Sequence, residues 1–271
     1  MKTKYTVLLT GIVFVSFVVF IFSCGKEELP APATTTPTVS NGPSFVEEFD
    51  NVGDLVAKGW AFRNNSRPVG EAGWRQGRYE SATAAQYKFL APVAFVGFPA
   101  YSADNSPNDF VSCDVSAASD VLPPYTANYS AWLISPALPM KNGDKISFYT
   151  RATDDSYYPV YCKDRMQVRA NFTDGSANVG TGDTTTGKFS TLLLDINPNY
   201  VYNDPASGSG GGYPRSWTKY TITISGLPSA GISNGRFAFR YFGKDAGFYG
   251  GLAGTNYPTV VGVDQLSFVH Q

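Results

Sequence analysis

The sequence predicts an all-β protein: a jelly-roll-like antiparallel β-sandwich that forms one domain, residues 44–271. Apolar and polar residues alternate with a period of two in most segments after Pro43, as in strands that bury one face. The best helix candidate after the N-terminal apolar run, Asp50–Lys58, is at most two turns long. Strands and helices therefore do not alternate, which argues against a parallel α/β sheet.

The predicted strands are β-branched or aromatic runs bounded by Gly, Pro, Asn or Asp. They include residues 145–150, 166–170, 220–224, 236–241 and 261–268. In the last run the apolar phase shifts by one residue after Val263, which predicts a β-bulge at Asp264 and Gln265. Long polar loops are expected at residues 100–128, 171–188 and 197–216.

The overall charge and the scarce histidine and cysteine exclude several classes of function. Lys and Arg number 21 against 22 Asp and Glu, so the net charge is -1. Nucleic-acid binding needs a clustered basic surface that releases counterions from phosphates, so we expect no nucleic-acid partner. One His and three Cys leave little material for His-based catalysis or a zinc site.

The N-terminal segment has the pattern of an export signal. Lys2 and Lys4 precede an apolar run, and no further charge occurs before Lys26. The run ends in Phe22-Ser23-Cys24-Gly25, which resembles a bacterial lipobox, in which the Cys is acylated and becomes the new N-terminus. We expect a signal peptide at residues 1–23, a lipidated Cys24, and a Pro/Thr-rich spacer up to residue 43. The alternative is an uncleaved membrane anchor, since the run approaches the ~18 residues of a spanning helix.

The residues that follow Cys24 indicate where such a lipoprotein would reside. Lys26-Glu27-Glu28 resembles the charged export tag of surface lipoproteins in some Gram-negative bacteria. Gly25 differs from the Asp that usually retains lipoproteins at the inner membrane. We therefore expect an outer-membrane lipoprotein, exposed at the surface of a Gram-negative cell, whose membrane contact is its lipid.

Ordered sequence blocks across nearly the whole mature chain resemble the choice-of-anchor J domain family of bacterial surface proteins. They include FVEEFD (45–50), GWRQG (73–77), AWLISP (131–136), SFYTR (147–151), DRMQVR (164–169), GRFAFRY (235–241) and GVDQLSF (262–268). The resemblance implies a jelly-roll sandwich related to cleaved-adhesin and MAM-like domains. It implies no common activity, and this chain departs from the family pattern at residues 88–128 and 256–259.

The same resemblance implies a structural calcium site. Glu47, Glu48 and Asp50 lie at the first strand and Asp264 lies in the last. In related sandwiches these strands are neighbours and a Ca²⁺ often bridges them; Ca²⁺ takes about six to eight oxygen ligands. The alternative is that the acids are solvated or pair with arginines. The arginines in question are Arg63, Arg67 and Arg240.

Two cysteines remain besides Cys24. Cys113 and Cys162 form an even pair in an exported chain, which suggests a disulfide. The alternative is two separate buried thiols.

Loop tyrosines point to ligand binding, because rigid amphipathic rings can stack on sugars or anchor peptides. Tyr157, Tyr158 and Tyr202 follow predicted strands within turn-rich segments, and we expect them to contribute to a ligand surface. Other tyrosines near loops share this expectation, namely Tyr125, Tyr129, Tyr161, Tyr200 and Tyr213. The alternative is that the rings pack onto the edges of the sandwich. The four tryptophans lie in the family blocks and are expected in the core.

These patterns favour a surface lipoprotein with a non-catalytic binding or adhesion domain for glycan or a surface protein. A carbohydrate hydrolase is the main alternative; it needs two facing carboxylates, and no E-x-D-x-x-E string occurs. A structural surface component without a small ligand is the other. Gly231–Gly235 matches G-x-S-x-G, but a strand rather than a helix is predicted after it, which favours a turn.

Overall fold

Regular structure in the computed structural model consists of β-strands and two short 3-10 helices. The structure describes residues 43–79, 98–102, 106–119, 126–153, 163–201, 211–246 and 259–271, all within one unit, Thr34–Gln271. The strands in these ranges are β1 (Phe45–Glu47), β2 (Ala61–Asn64), β3 (Arg75–Gln76), β4 (Val111–Asp114), β5 (Ala127–Ile134), β6 (Leu138–Met140), β7 (Lys145–Ala152), β8 (Met166–Asn171), β9 (Thr191–Ile196), β10 (Thr218–Thr223), β11 (Ile232–Ala246) and β12 (Val260–Val269). The 3-10 helices are Val52–Val56 and Val115–Ala117.

The strands form two antiparallel sheets. The first has the order β10-β7-β12-β4-β3, and β1 pairs with the C-terminal part of β12. The second has the order β2-β5-β11-β8-β9, and β6 pairs with the N-terminal part of β11. Apart from the pairs β3-β4 and β8-β9, neighbouring strands are not consecutive in the chain, as in a jelly roll rather than a meander. The predicted all-β sandwich is confirmed.

Alternating apolar residues from both sheets fill the space between them. Phe148 of β7 meets Phe239 of β11 edge-to-face, with ring centroids 4.9 Å apart. Phe237 and Tyr241 lie on the same inner face as Phe239, and all three are buried. The period-two pattern that predicted these strands is therefore the pattern that fills the core. Trp60, Trp74 and Trp132 are buried, and the partly buried Trp217 packs against a smaller cluster, as expected.

The irregularity predicted in the last strand is present. The pairing of β12 with β7 shifts register between Asp264 and Ser267. Gln265 has a φ of +44°, in the left-handed region that side chains other than glycine seldom adopt. This bulge lets Val263 and Leu266 both point into the core.

One loop expectation needs correction. The segment 100–128 contains β4, and all four β4 residues are buried. Because both faces of β4 are covered, its mixed Val-Ser-Cys-Asp composition does not show the alternation that predicts a strand. The loop predicted at 171–188 is confirmed beyond Asn171, the last residue of β8, and it packs on the outer face of the second sheet, where Val179 and the adjacent Phe189 are buried. The predicted short helix is the 3-10 helix Val52–Val56, and β11 begins at Ile232, directly after the turn at Gly231.

The topology places the entry of the chain and the start of β5 at opposite ends of the sandwich. Ser44 lies beside the end of β12, where its hydroxyl accepts a hydrogen bond from the backbone amide of His270. β12 runs from there to Val260, about 30 Å at the usual rise per residue. At that far end Val260 pairs with Asp114, whose strand leads into the 3-10 helix Val115–Ala117 next to β5.

Candidate ligand-binding groove and buried carboxylate pair

An open groove of about 910 Å³ lies at the far end of the sandwich, next to the start of β5. Two chain segments and two further residues line it, namely Asn64–Val69, Thr126–Asn128, Thr181 and Asp245. Most of these side chains are short and polar, and the volume falls within the range of small-molecule sites. None of these residues was singled out as a ligand contact from the sequence.

The first wall of the groove is an extension of β2 along β5. Ala61 pairs with Ile134, and the same register continues to Arg67 opposite Asn128. The backbone of Arg67 exchanges two hydrogen bonds of 2.8 Å with that of Asn128. Because side chains alternate along a strand, Asn65 and Arg67 project from the outer face of the sheet.

The second wall is the loop between β8 and β9. Asn65 Nδ2 donates to the Gly180 carbonyl at 2.9 Å, and Arg67 Nη2 donates to the Thr181 carbonyl at 3.3 Å. Asn128 Nδ2 donates to Asp183 Oδ2 at 2.6 Å. The side chains that line the first wall therefore also hold the second wall in place.

Asp245 closes the groove beside β5. Its φ is +49°, a left-handed conformation that Asp tolerates better than most residues. Its backbone amide donates to Asn128 Oδ1 at 2.8 Å, and its side chain remains 72% exposed. The backbone is thus held in an uncommon conformation that leaves the carboxylate open to solvent at the groove. Such conformations cluster at ligand sites.

The structure does not bring the four carboxylates of the predicted calcium site together. Glu47 forms an ion pair with Lys58 at 2.9 Å and accepts a hydrogen bond from the Phe49 amide. Asp50 is exposed. Its negative charge acts on Asp109 instead, where it adds to the effect of burial in raising the pKa of that carboxyl group. None of the arginines proposed as alternative partners forms an ion pair with these four acids within the described residues.

Glu48 and Asp264 remain together. Asp264 is fully buried, and burial raises its pKa to about 8; the negative charge of Glu48 adds to this rise. Three backbone amides act in the opposite direction, since Ser102, Gln265 and Tyr101 donate to the carboxylate at 3.1, 2.7 and 2.8 Å. A buried carboxylate beside a second acid is stabilised when it binds a cation or a proton. Among the described residues, no three His, Cys, Asp or Glu side chains converge on one metal position.

Several predicted site residues lie outside the described residues. They are Cys24, Tyr157, Tyr158, Cys162, Tyr202, Tyr125 and Tyr161. Cys113 is buried and forms no disulfide with another described residue, and its pairing with Cys162 stays a prediction. No helix in the described parts of the chain is long and apolar enough to cross a membrane.

Two of the loop tyrosines are core residues, which corrects the expectation that they bind ligand. Tyr129 and Tyr213 are buried between the sheets. Tyr213 shares a 2.6 Å hydrogen bond with Thr150, so its ring is turned inward although it follows a loop. Tyr200 is partly buried and accepts a hydrogen bond from Arg165, which also forms an ion pair with Asp195.

Comparisons with known proteins assign no family to the chain. No family model matches the chain, and no curated protein matches it significantly. A cleaved adhesin domain of Lys-gingipain from Porphyromonas gingivalis is similar in structure, with 18% identity, a TM-score of 0.48, and coverage of 85% of this chain and 99% of that domain. Another such domain has 15% identity, a TM-score of 0.44 and coverage of 84% and 98%. A putative sugar binding protein from Bacteroides thetaiotaomicron has 14% identity, a TM-score of 0.37 and coverage of 78% and 87%.

With TM-scores below 0.5, these similarities assign neither a family nor a function to this chain. The resemblance to the choice-of-anchor J domain stays a prediction from the sequence.

The buried Asp264 predicts a specific pH dependence of stability. Its pKa rises from 3.8 in the unfolded chain to about 8, so the folded protein retains a proton that the unfolded chain has lost across this window. The free energy of unfolding therefore falls as pH rises from about 4 to about 8. Burial also raises the pKa of Asp164, to about 6, so the part specific to Asp264 lies above pH 6.

Melting temperatures measured in EDTA between about pH 6 and pH 9 check this prediction. The wild type should lose stability across the range, whereas Asp264→Asn, which cannot ionise, should stay nearly constant. Asp50→Asn removes an exposed acid and should follow the wild type. Parallel curves for wild type and Asp264→Asn would contradict the assignment.

Proposed function

We propose that the chain is a surface-anchored outer-membrane lipoprotein of a Gram-negative bacterium whose β-sandwich binds glycan without cleaving it. The groove at residues 64–69 and 126–128 is the proposed ligand site. The observation that carries the proposal is an open groove beside a sheet edge, lined by three half-buried amides, one exposed guanidinium and one exposed carboxylate. These groups donate and accept the hydrogen bonds that sugar hydroxyls need.

The groove chemistry favours binding over hydrolysis. A glycosidase places two carboxyl groups on either side of the scissile bond, roughly 5 to 9.5 Å apart. Asp245 is the one carboxylate among the described residues that line the groove. A single carboxylate can hydrogen-bond hydroxyls but cannot supply both the acid and the base or nucleophile.

The position of the groove suits a tethered binding domain. The chain enters the sandwich at Ser44, at the end opposite the groove. A lipid on Cys24 and an extended spacer of residues 24–43 would place the domain up to ~60 Å from the membrane. The groove would then face away from the cell, toward ligands in the medium or on another surface.

A calcium ion at Glu48 and Asp264 is the proposed structural cofactor. Bound there, it would neutralise two neighbouring acids and link the end of β1 to the bulge of β12. The buried Asp264 and the nearby charge of Glu48 support this site, and Glu47 and Asp50 are left out of it. Binding to the folded state alone would stabilise the protein by mass action.

The glycan proposal predicts that groove variants lose binding while the fold remains. Asp245→Ala removes the exposed carboxylate and should weaken binding at least threefold, about 0.7 kcal/mol, which is near the low end for one lost hydrogen bond. Asp54→Asn changes an exposed acid on the Val52–Val56 helix and serves as the control. A glycan-array screen followed by calorimetry on the best binder measures both.

The proposal fails if the purified protein binds no member of the array. It also fails if Asp245→Ala and Asp54→Asn bind equally well, or if the bound oligosaccharide is cleaved.

The calcium proposal predicts that Ca²⁺ raises the melting temperature of the EDTA-treated protein. Glu48→Gln and Asp264→Asn should each abolish the increase, because each removes one of the two proposed ligands. Glu47→Gln and Asp50→Asn should keep it. Scanning calorimetry with and without Ca²⁺ makes the comparison, and an increase that depends on Glu47 or Asp50 would place the ion elsewhere.

The anchor proposal predicts that Cys24→Ser abolishes acylation and releases the protein from membranes. Metabolic labelling with an alkyne fatty acid and membrane fractionation measure the two effects. Identical fractionation of variant and wild type, with no label on either, would contradict lipidation at Cys24.

A further inference from the structure

The outer face of the second sheet is rich in arginine. Because side chains alternate along a strand, every second residue of β2, β8 and β11 points to this face, opposite the buried core. Six guanidinium groups project from it, namely Arg63, Arg67, Arg165, Arg169, Arg236 and Arg240. The protein as a whole has a net charge of -1, so this clustering is a local property of one face.

Carboxylates neutralise only part of this charge. Arg165 pairs with Asp195 at 2.6 Å. Among the described residues, the other five arginines have no carboxylate within ion-pair distance. Asp174, Asp183 and Asp245 also lie on this side, so six arginines face four carboxylates, and one of the four, Asp174, already pairs with Lys188. The face therefore carries excess positive charge.

The lowered pKa values of the buried Arg240 and the half-buried Arg169 indicate the same positive potential. Burial, together with the charges of Arg169 and Arg165, lowers the pKa of Arg240 to about 9. The pKa of Arg169 is also lowered, first by burial, with Arg165 again contributing. The guanidinium groups are close enough to repel one another, so an anion near them would be attracted.

Two of the six arginines are exposed and border cavities. Arg67 lines the main groove, and Arg63 lines a smaller adjoining cavity of about 360 Å³ together with residues 176–180. Both project from the same side of one extended segment, four residues apart, which places them about 13 Å from each other. The loop around Gly180 and Thr181 lies between the two cavities.

We propose that the ligand of this surface is a linear acidic glycan, with carboxylate or sulfate groups that meet Arg67 in the groove and Arg63 in the adjoining cavity. This inference rests on the proposed function and narrows it to a charged oligosaccharide that spans both cavities. Two exposed guanidinium groups without acidic partners supply the charge complement, and a guanidinium binds planar oxyanions through paired hydrogen bonds.

The test compares acidic oligosaccharides with their own neutral forms. The full chain, purified in detergent, is titrated with uronate oligosaccharides and their methyl esters, and with sulfated oligosaccharides and their desulfated counterparts. At least one acidic form should bind about tenfold more tightly than its neutral form at low salt, the sum of two modest ion pairs. Raising the salt should reduce that difference, since the guanidinium groups are exposed.

Matched variants locate the effect. Arg63→Gln, outside the main groove, should weaken binding of the acidic form about threefold and leave the neutral form nearly unchanged. Arg67→Gln changes a residue of the groove itself and should weaken the acidic form about threefold more than it weakens the neutral form. Lys219→Gln removes one exposed positive charge from the outer face of the other sheet and should change neither.

The outcomes separate this inference from the proposed function. Equal affinity for acidic and neutral forms, still weakened by Asp245→Ala, would overturn the acidic ligand and keep the glycan groove. No binding of any oligosaccharide would overturn both. A single-stranded DNA oligomer of equal charge that binds as tightly, and is weakened by Arg67→Gln, would show a general polyanion surface and overturn the glycan inference.

Discussion

The groove depends on one packed contact, the docking of the β8–β9 loop onto the outer face of the second sheet. Val179 and Phe189 are buried against Trp132, whose ring centroid lies 5.9 Å from that of Phe189. Arg240 stacks on the other part of this surface, 4.7 Å from the Trp132 ring, and donates to the Asp183 carbonyl. Without this docking the groove would have one wall, and Asn65, Arg67 and Asn128 would lose their partners on the loop.

Arg240 serves structure and electrostatics at once. Its side chain is 2% exposed and has no carboxylate partner, an arrangement that costs free energy unless the guanidinium is hydrogen-bonded. Ser130, Gln167 and the Asp183 carbonyl accept from it, and two aromatic rings cover its faces. The charge that holds the loop therefore remains uncompensated, and it adds to the positive potential beside the groove.

The sequence predicted the parts of the fold whose burial repeats along the chain. Residues 145–150 and 236–241 alternate strictly, and the phase slip at Asp264 marked a bulge that the structure contains. β4 was not predicted, because both its faces are covered and its residues therefore do not alternate in polarity.

The candidate site was harder to predict from the sequence, because it joins residues that are far apart in the chain. Asn65, Asn128 and Asp183 meet only through the sheet register and the docked loop. Amides clustered before Pro68 were the only local signal. Among the calcium candidates, Glu47 ends β1 and Glu48 directly follows it, and their spacing alone could not show that Glu47 pairs with Lys58.

A crystal structure of the protein with its tightest-binding oligosaccharide tests the central claim most directly. The account predicts intact sugar rings in the groove, with hydroxyls bonded to Asn128 or Asp245 and a ring near Arg67. A ligand bound at a distance from residues 64–69 and 126–128, or density for cleaved product only, would contradict it.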